Sequence, residues 1–116
     1  IGSRMAAGFQ EQDRTGVPFA PHREAFVEQV KQLFAHPDQA VFGRETGRAA
    51  AERFAEAVNI EMAQTTGNIG IVTHGRVLTL FLWLTLGLQD PITFWQSLKM
   101  PDTFVVKWED SRSYFI

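Results

Sequence analysis

The sequence predicts an α/β domain with a mostly parallel sheet, and three observations carry that expectation. Asn68 to Thr73 is short, apolar and rich in β-branched residues, with no polar alternation, as suits a strand buried on both faces. After the polar break His74-Gly75-Arg76, the chain is apolar almost without interruption from Val77 to Leu86, and Gly87 follows as a helix C′ residue. Two amphipathic helical stretches precede this unit, and an alternating strand closes the chain. A buried strand, a polar turn and a buried helix place His74 where open α/β sheets bind ligands, because helix N-termini present free N–H groups and positive dipole there. A histidine after a strand also serves as a cap or a packed residue, so its position alone leaves both roles open.

Composition narrows the function classes. The chain has 116 residues, 45% hydrophobic and 21% charged, which fits a single domain. Eleven basic and thirteen acidic residues are interspersed, giving a formal net charge of -2 and no basic patch, so neither nucleic acid nor an anionic membrane is an expected partner. The absence of cysteine excludes disulfides, thiolate chemistry and zinc-thiolate sites, and agrees with an expected cytoplasmic location. The longest apolar run, Val77 to Leu88, is too short to span a bilayer. No signal peptide is read, and residues 1–4 read as a cloning remnant outside the domain.

Taken in order, Phe9 to Gly16 has no hydrophobic period, and Gly16, Pro18 and Pro21 mark irregular backbone, so a loop is expected. Within it Glu11 is either one solvated charge among several or a functional group. From His22 to Ala35, Phe26, Val30, Leu33 and Phe34 define one face of a helix that His36-Pro37 ends. His22 and His36 stand at its two ends, too far apart to hold one metal, and no metal or cofactor is expected. Thr46 is suited to cap a second helix running to about Gln64, with Ala50, Phe54, Val58 and Met62 as its buried edge and Ala49 to Ala51 allowing close approach to a sheet. Glu45 stands where a carboxylate favours a helix N-terminus, and Arg53 reads as an ion-pair partner. Asp90-Pro91 opens a short helix to about Leu98, edged by Phe94, Trp95 and Leu98. Met100 to Asp102 turns, Thr103 to Glu109 alternates as a half-exposed strand, and Ser113 to Ile116 is expected to pair back as a hairpin. Trp83, Trp95 and Trp108 are not interleaved with basic residues and read as core.

Ile71-Val72-Thr73-His74-Gly75, followed by an apolar helix, resembles the second histidine motif of the histidine phosphatase superfamily, also called phosphoglycerate mutase-like. Phe9-Gln10-Glu11 with Gly16 resembles a variant of that family's Leu-x-Glu segment, whose Glu is the proton donor. Gly43-Arg44-Glu45-Thr46 with Arg53 resembles its Gly-x-Glu-Ser segment and the Arg that follows. The resemblance implies the carboxyl-terminal part of a three-layer α/β/α fold, with a mostly parallel sheet and a C-terminal hairpin. It covers 1–116 as a single, incomplete domain without the family's first strand and Arg-His-Gly motif.

What the resemblance implies chemically is a phosphoryl transfer. An imidazole attacks phosphorus, a carboxylic acid protonates the leaving oxygen, and water then hydrolyses the phosphohistidine. By this likeness His74 and Glu11 are the catalytic residues, His74, Gly75 and Arg76 hold the phosphate, and Glu45 lies at the site edge. The implied partner is a phosphorylated small molecule or phosphate. Without the motif that supplies the nucleophile, the chain is expected to hydrolyse phosphate esters poorly or not at all. Without the first strand, Asn68 to Thr73 is expected to have unpaired backbone and Val77 to Leu86 uncovered apolar surface, which a second copy in a homo-oligomer would cover. The alternatives are a non-catalytic phosphoryl-ligand-binding domain and a protein-interaction domain in which His74 is structural.

Overall fold

The computed structural model describes residues 6–99 and 102, together with the backbone of Val106–Glu109 and Arg112–Phe115. The described residues form four helices and one two-stranded hairpin: α1 Arg23–Ala35, α2 Gly47–Ala63, α3 Gly75–Leu86, α4 Pro91–Ser97, β1 Val106–Glu109 and β2 Arg112–Phe115. The strands pair antiparallel, Val106 opposite Phe115 and Glu109 opposite Arg112.

The expected α/β/α fold with a mostly parallel sheet is therefore corrected. Asn68 to Thr73 carries no strand among the described residues; it lies between α2 and α3 without regular secondary structure. A strand exists only through a neighbour's N–H and C=O groups, and among the described residues none pairs with it in a ladder. Its side chains follow suit, with Val72 97% exposed and Ile71 36% exposed where burial on both faces is expected. Sequence pattern reports what a segment could bury, and here the packing surface is made by helices instead.

Those helices begin and end as local chemistry directs. Nδ1 of His22 accepts from the Ala25 N–H at 3.2 Å and caps α1. The Thr46 hydroxyl accepts from the Ala49 N–H at 3.0 Å and caps α2, while Asp90 caps α4 ahead of Pro91. Gly87, at φ 79°, closes α3 in the left-handed conformation that costs glycine no Cβ clash. α3 starts at Gly75, two residues before the apolar run.

The core sits between these helices, and α2 lies along α3 as the most extensive helix pair. Ala50, Ala51, Phe54, Ala57 and Val58 of α2 bury against Val77, Leu80, Phe81 and Leu82 of α3, with Val30, Leu33 and Phe34 of α1 in the same cluster. The small residues of α2 thus admit a helix rather than a sheet. Gly47 at its first turn lies against Leu80 of α3, where a Cβ would meet that side chain at 2.9 Å. Of the apolar surface of α3, Val77, Leu80, Phe81 and Leu82 are buried in the cluster with α1 and α2, while Leu78, Trp83, Leu84 and Leu86 are only partly buried. Trp83 stacks edge-on to Phe34 at 6.1 Å, and Trp95 lies 5.8 Å from Phe26. The remnant at 1–4, the Met100-Pro101 turn, the strand start at 103–105, the turn at 110–111, Ile116 and the side chain of Trp108 lie outside the described residues.

Candidate functional site

The site is assembled at the N-terminus of α3. His74 is the N-cap residue in extended conformation (φ -126°, ψ 158°), yet its side chain makes no capping hydrogen bond. The cap comes from the loop near the start of the chain. Glu11 Oε1 accepts from the Val77 N–H at 2.7 Å, and Oε2 accepts from the Arg76 N–H at 3.1 Å. These contacts join positions 65 and 66 residues apart. A carboxylate at a helix N-terminus satisfies orphan N–H groups and complements the dipole, and these charge-assisted bonds are among the stronger kinds. His74 is exposed and released from capping.

The Arg76 side chain folds back under the same loop. It is 8% exposed; its Nη2 donates to the Gln12 carbonyl at 3.0 Å, its Nε approaches Gln12 Oε1 at 3.4 Å, and its Nη1 lies 3.9 Å from Glu11 Oε2. Burial pushes this guanidinium below its ordinary value; Glu11 opposes that effect and Arg14 adds to it. The Arg76 guanidinium stands 5.1 Å from the centre of the Phe42 ring and that of Arg14 5.3 Å, so two cations share one aromatic side chain beside the Glu11 carboxylate.

Arg53 of α2 and the turn before that helix hold the loop from the other side. Arg53 Nε and Nη2 donate to Glu45 Oε2 and Oε1, both at 2.9 Å, a bidentate fork. Its Nη1 donates to the carbonyls of Gly8 at 2.8 Å and Gln10 at 2.9 Å. Glu45 Oε1 also accepts from the Asp13 N–H at 3.1 Å. Gln12, 1% exposed, donates through Nε2 to the carbonyls of Phe42 at 2.7 Å and Glu45 at 2.8 Å. Thr73 Oγ1 donates to the Phe9 carbonyl at 2.6 Å, which ties the loop to the residue before His74. Asp13 accepts from the N–H and hydroxyl of Thr15, and these bonds hold its exposed carboxyl below the usual carboxylate value.

Of the site residues expected from sequence, Glu11, Gly75 and Arg76 meet at one helix end, with His74 next to them. The Arg76 N–H, expected to face a phosphate, is taken by Glu11. Gly75 packs beneath Trp95 of α4 and Leu98, which follows that helix. Glu45 reaches the group through Arg53 and the Asp13 N–H. Gln12 and Arg14 were missed, because a loop without hydrophobic period carries no signal for which side chain turns inward; the adjacency of Gln12 to Glu11 was the only hint. His22 and His36 cap the two ends of α1. Among the described residues no cluster of His, Asp or Glu is arranged to hold a metal, and no helix is long and apolar enough to cross a membrane.

An imidazole without a capping bond, a carboxylate on the first-turn N–H groups and a buried arginine thus come together at the N-terminus of α3. The model of the histidine phosphatase superfamily, branch 1, matches residues 6–114, and the chain belongs to that superfamily. Neither the curated proteins nor the solved structures gave a match.

Proposed function

We propose that this chain binds phosphorylated small molecules through the acid and second-histidine part of a histidine phosphatase site. The phosphoryl group lies against the His74 imidazole and the Gly75 end of α3, and Glu11 is the proton-donating acid. The observation that supports this reading is the seating of Glu11 on the helix that His74 opens. Two motifs distant in sequence thereby share one helix end, while the imidazole is left out of any cap. In this reading the phosphate sits next to Glu11 rather than on the Arg76 and Val77 N–H groups that Glu11 already occupies. Because phosphoryl transfer depends on placing charge and nucleophile, and because His22 and His36 stand at the two ends of α1, we propose that the chain by itself binds without appreciable turnover.

The test is titration with inorganic phosphate and phenyl phosphate, alongside hydrolysis of an aryl phosphate from acid to neutral pH, for the chain and its His74→Ala variant. Binding that disappears in the variant without turnover supports the proposal. Turnover that His74→Ala abolishes would show that a complete site assembles, and unchanged phosphate binding in the variant would instead favour an interaction domain. The expectations of a second copy over the exposed Ile71-Val72 segment and of a cytoplasmic setting are kept as proposals, the first supported by that exposure and the second by the cysteine-free sequence.

A further inference from the structure

We infer that Arg53 is the positioning residue for Glu11: from α2 it sets the loop that places the acid's carboxylate on the N-terminus of α3. The inference rests on the reading of Glu11 as the site's acid. Its basis is a set of hydrogen bonds that has no use in α2 itself. All three guanidinium nitrogens of Arg53 are engaged, and every acceptor lies outside α2, in the acid loop or on Glu45. The Gly8 and Gln10 carbonyls on Nη1 and the Glu11 carbonyl approached at 3.4 Å by Nη2 fix the backbone on both sides of the acid. Glu45 fixes the guanidinium in turn with a two-pronged contact and holds the Asp13 N–H two residues beyond Glu11.

The loop has no regular secondary structure of its own, so its shape must be imposed from outside. Arg53 suits that task because its planar fork can hold a carboxylate on one edge and carbonyl oxygens on the other, an arrangement the single ammonium of lysine cannot reproduce. The pair is partly buried, with side-chain exposures of 22% for Arg53 and 18% for Glu45, so water competes weakly for these bonds. Gly8 lets the loop come this close: it has φ 103°, and a Cβ there would overlap the Cβ of Ala57 one turn along α2 from Arg53. Arg53 makes no hydrogen bond to α3. Its hydrogen-bonded route to the Arg76 and Val77 N–H groups runs through the acid loop, where Glu11 is the residue that accepts from both.

That separation provides the test. Amide resonances of Arg76 and Val77 report directly on their bonds to Glu11, and they are compared in the unaltered chain, Glu11→Gln, Arg53→Ala and Arg53→Lys, at a temperature where circular dichroism shows each folded. The expected result is that Arg53→Ala moves both resonances in the direction seen for Glu11→Gln, while Arg53→Lys gives a smaller shift. If Arg53→Ala does not fold, Arg53→Lys decides by the same comparison. A folded Arg53 variant whose Arg76 and Val77 resonances stay at their original positions would overturn the inference and leave Arg53 a structural ion pair. Inorganic phosphate is then added to the unaltered chain. No response at His74 and Gly75 would count against the phosphoryl-binding reading, independently of the outcome for Arg53.

Discussion

His74 is an N-cap residue whose side chain caps nothing, and that detail separates its two readings. A structural histidine here would hold an N–H of the first turn, whereas Glu11 holds those of Arg76 and Val77 from across the chain. Replacing His74 with alanine is accordingly expected to alter unfolding free energy by no more than about 0.5 kcal/mol, the usual range for an exposed side chain without structural partners. Phosphate binding by calorimetry should be lost in the same variant. Glu11→Ala is expected to behave in the opposite way, lowering stability by about 1–2 kcal/mol in urea unfolding because a helix cap is removed and buried Arg76 loses its nearest anion. Asp13 adds a pH effect. Its carboxyl is held below the ordinary carboxylate value by Thr15, so the stability it contributes is present above that ordinary value and is lost as pH falls through the lower folded value. Thr15→Val should narrow that acid-side loss and move the Asp13 carboxyl resonance's midpoint upward. At this scale the meeting of Glu11 with Gly75 and Arg76 followed from motif wording, whereas the place of Gln12 did not, since its inward turn is decided by carbonyls thirty or more positions away.

Among elements, the loop and α2 form one unit with α3. Gly43, at φ 99°, lies so close to the loop that a Cβ would overlap the carbonyl oxygen of Asp13 and the backbone of Arg14. Gly43→Ala combines a left-handed backbone with a steric clash and is expected to destabilise the chain by about 1–3 kcal/mol or more, with thermal unfolding as the readout. Leu80 is fully buried between α2 and α3, and Leu80→Ala should cost about 2–5 kcal/mol through lost burial and a cavity. The helices themselves were readable in the sequence. Thr46, Asp90 and Gly87 stand at their boundaries, and the four-residue recurrence of Ala50, Phe54 and Val58 gave the buried edge of α2. What that edge packs against was not readable, because an apolar stripe with small residues suits a helix as well as a sheet.

For the whole molecule, the Asn68 to Thr73 segment is the point of departure. It is rich in β-branched residues and exposed at Ile71 and Val72, and it lacks the charges and prolines that blunt exposed edges in soluble proteins. If a second copy covers it, light scattering at micromolar concentration should report an assembly larger than a monomer, and Val72→Lys should return it to monomer with the helices intact by circular dichroism. A monomer in both chains would remove the second copy from the account. The strand propensity of this segment was legible; its pairing was not, since a strand is completed by another segment's backbone.

By itself the sequence determined the local features: the four helices and their caps, which faces are apolar, and the superfamily. Only the tertiary structure decided that α3 is buried by helices rather than beneath a parallel sheet, that Glu11 rather than His74 caps it, and that Arg53 and Gln12 secure the acid loop. The physical reason is range. Caps and amphipathic periods are satisfied within a few residues, whereas burial and the pairing of buried polar groups are settled between segments forty to sixty-six positions apart.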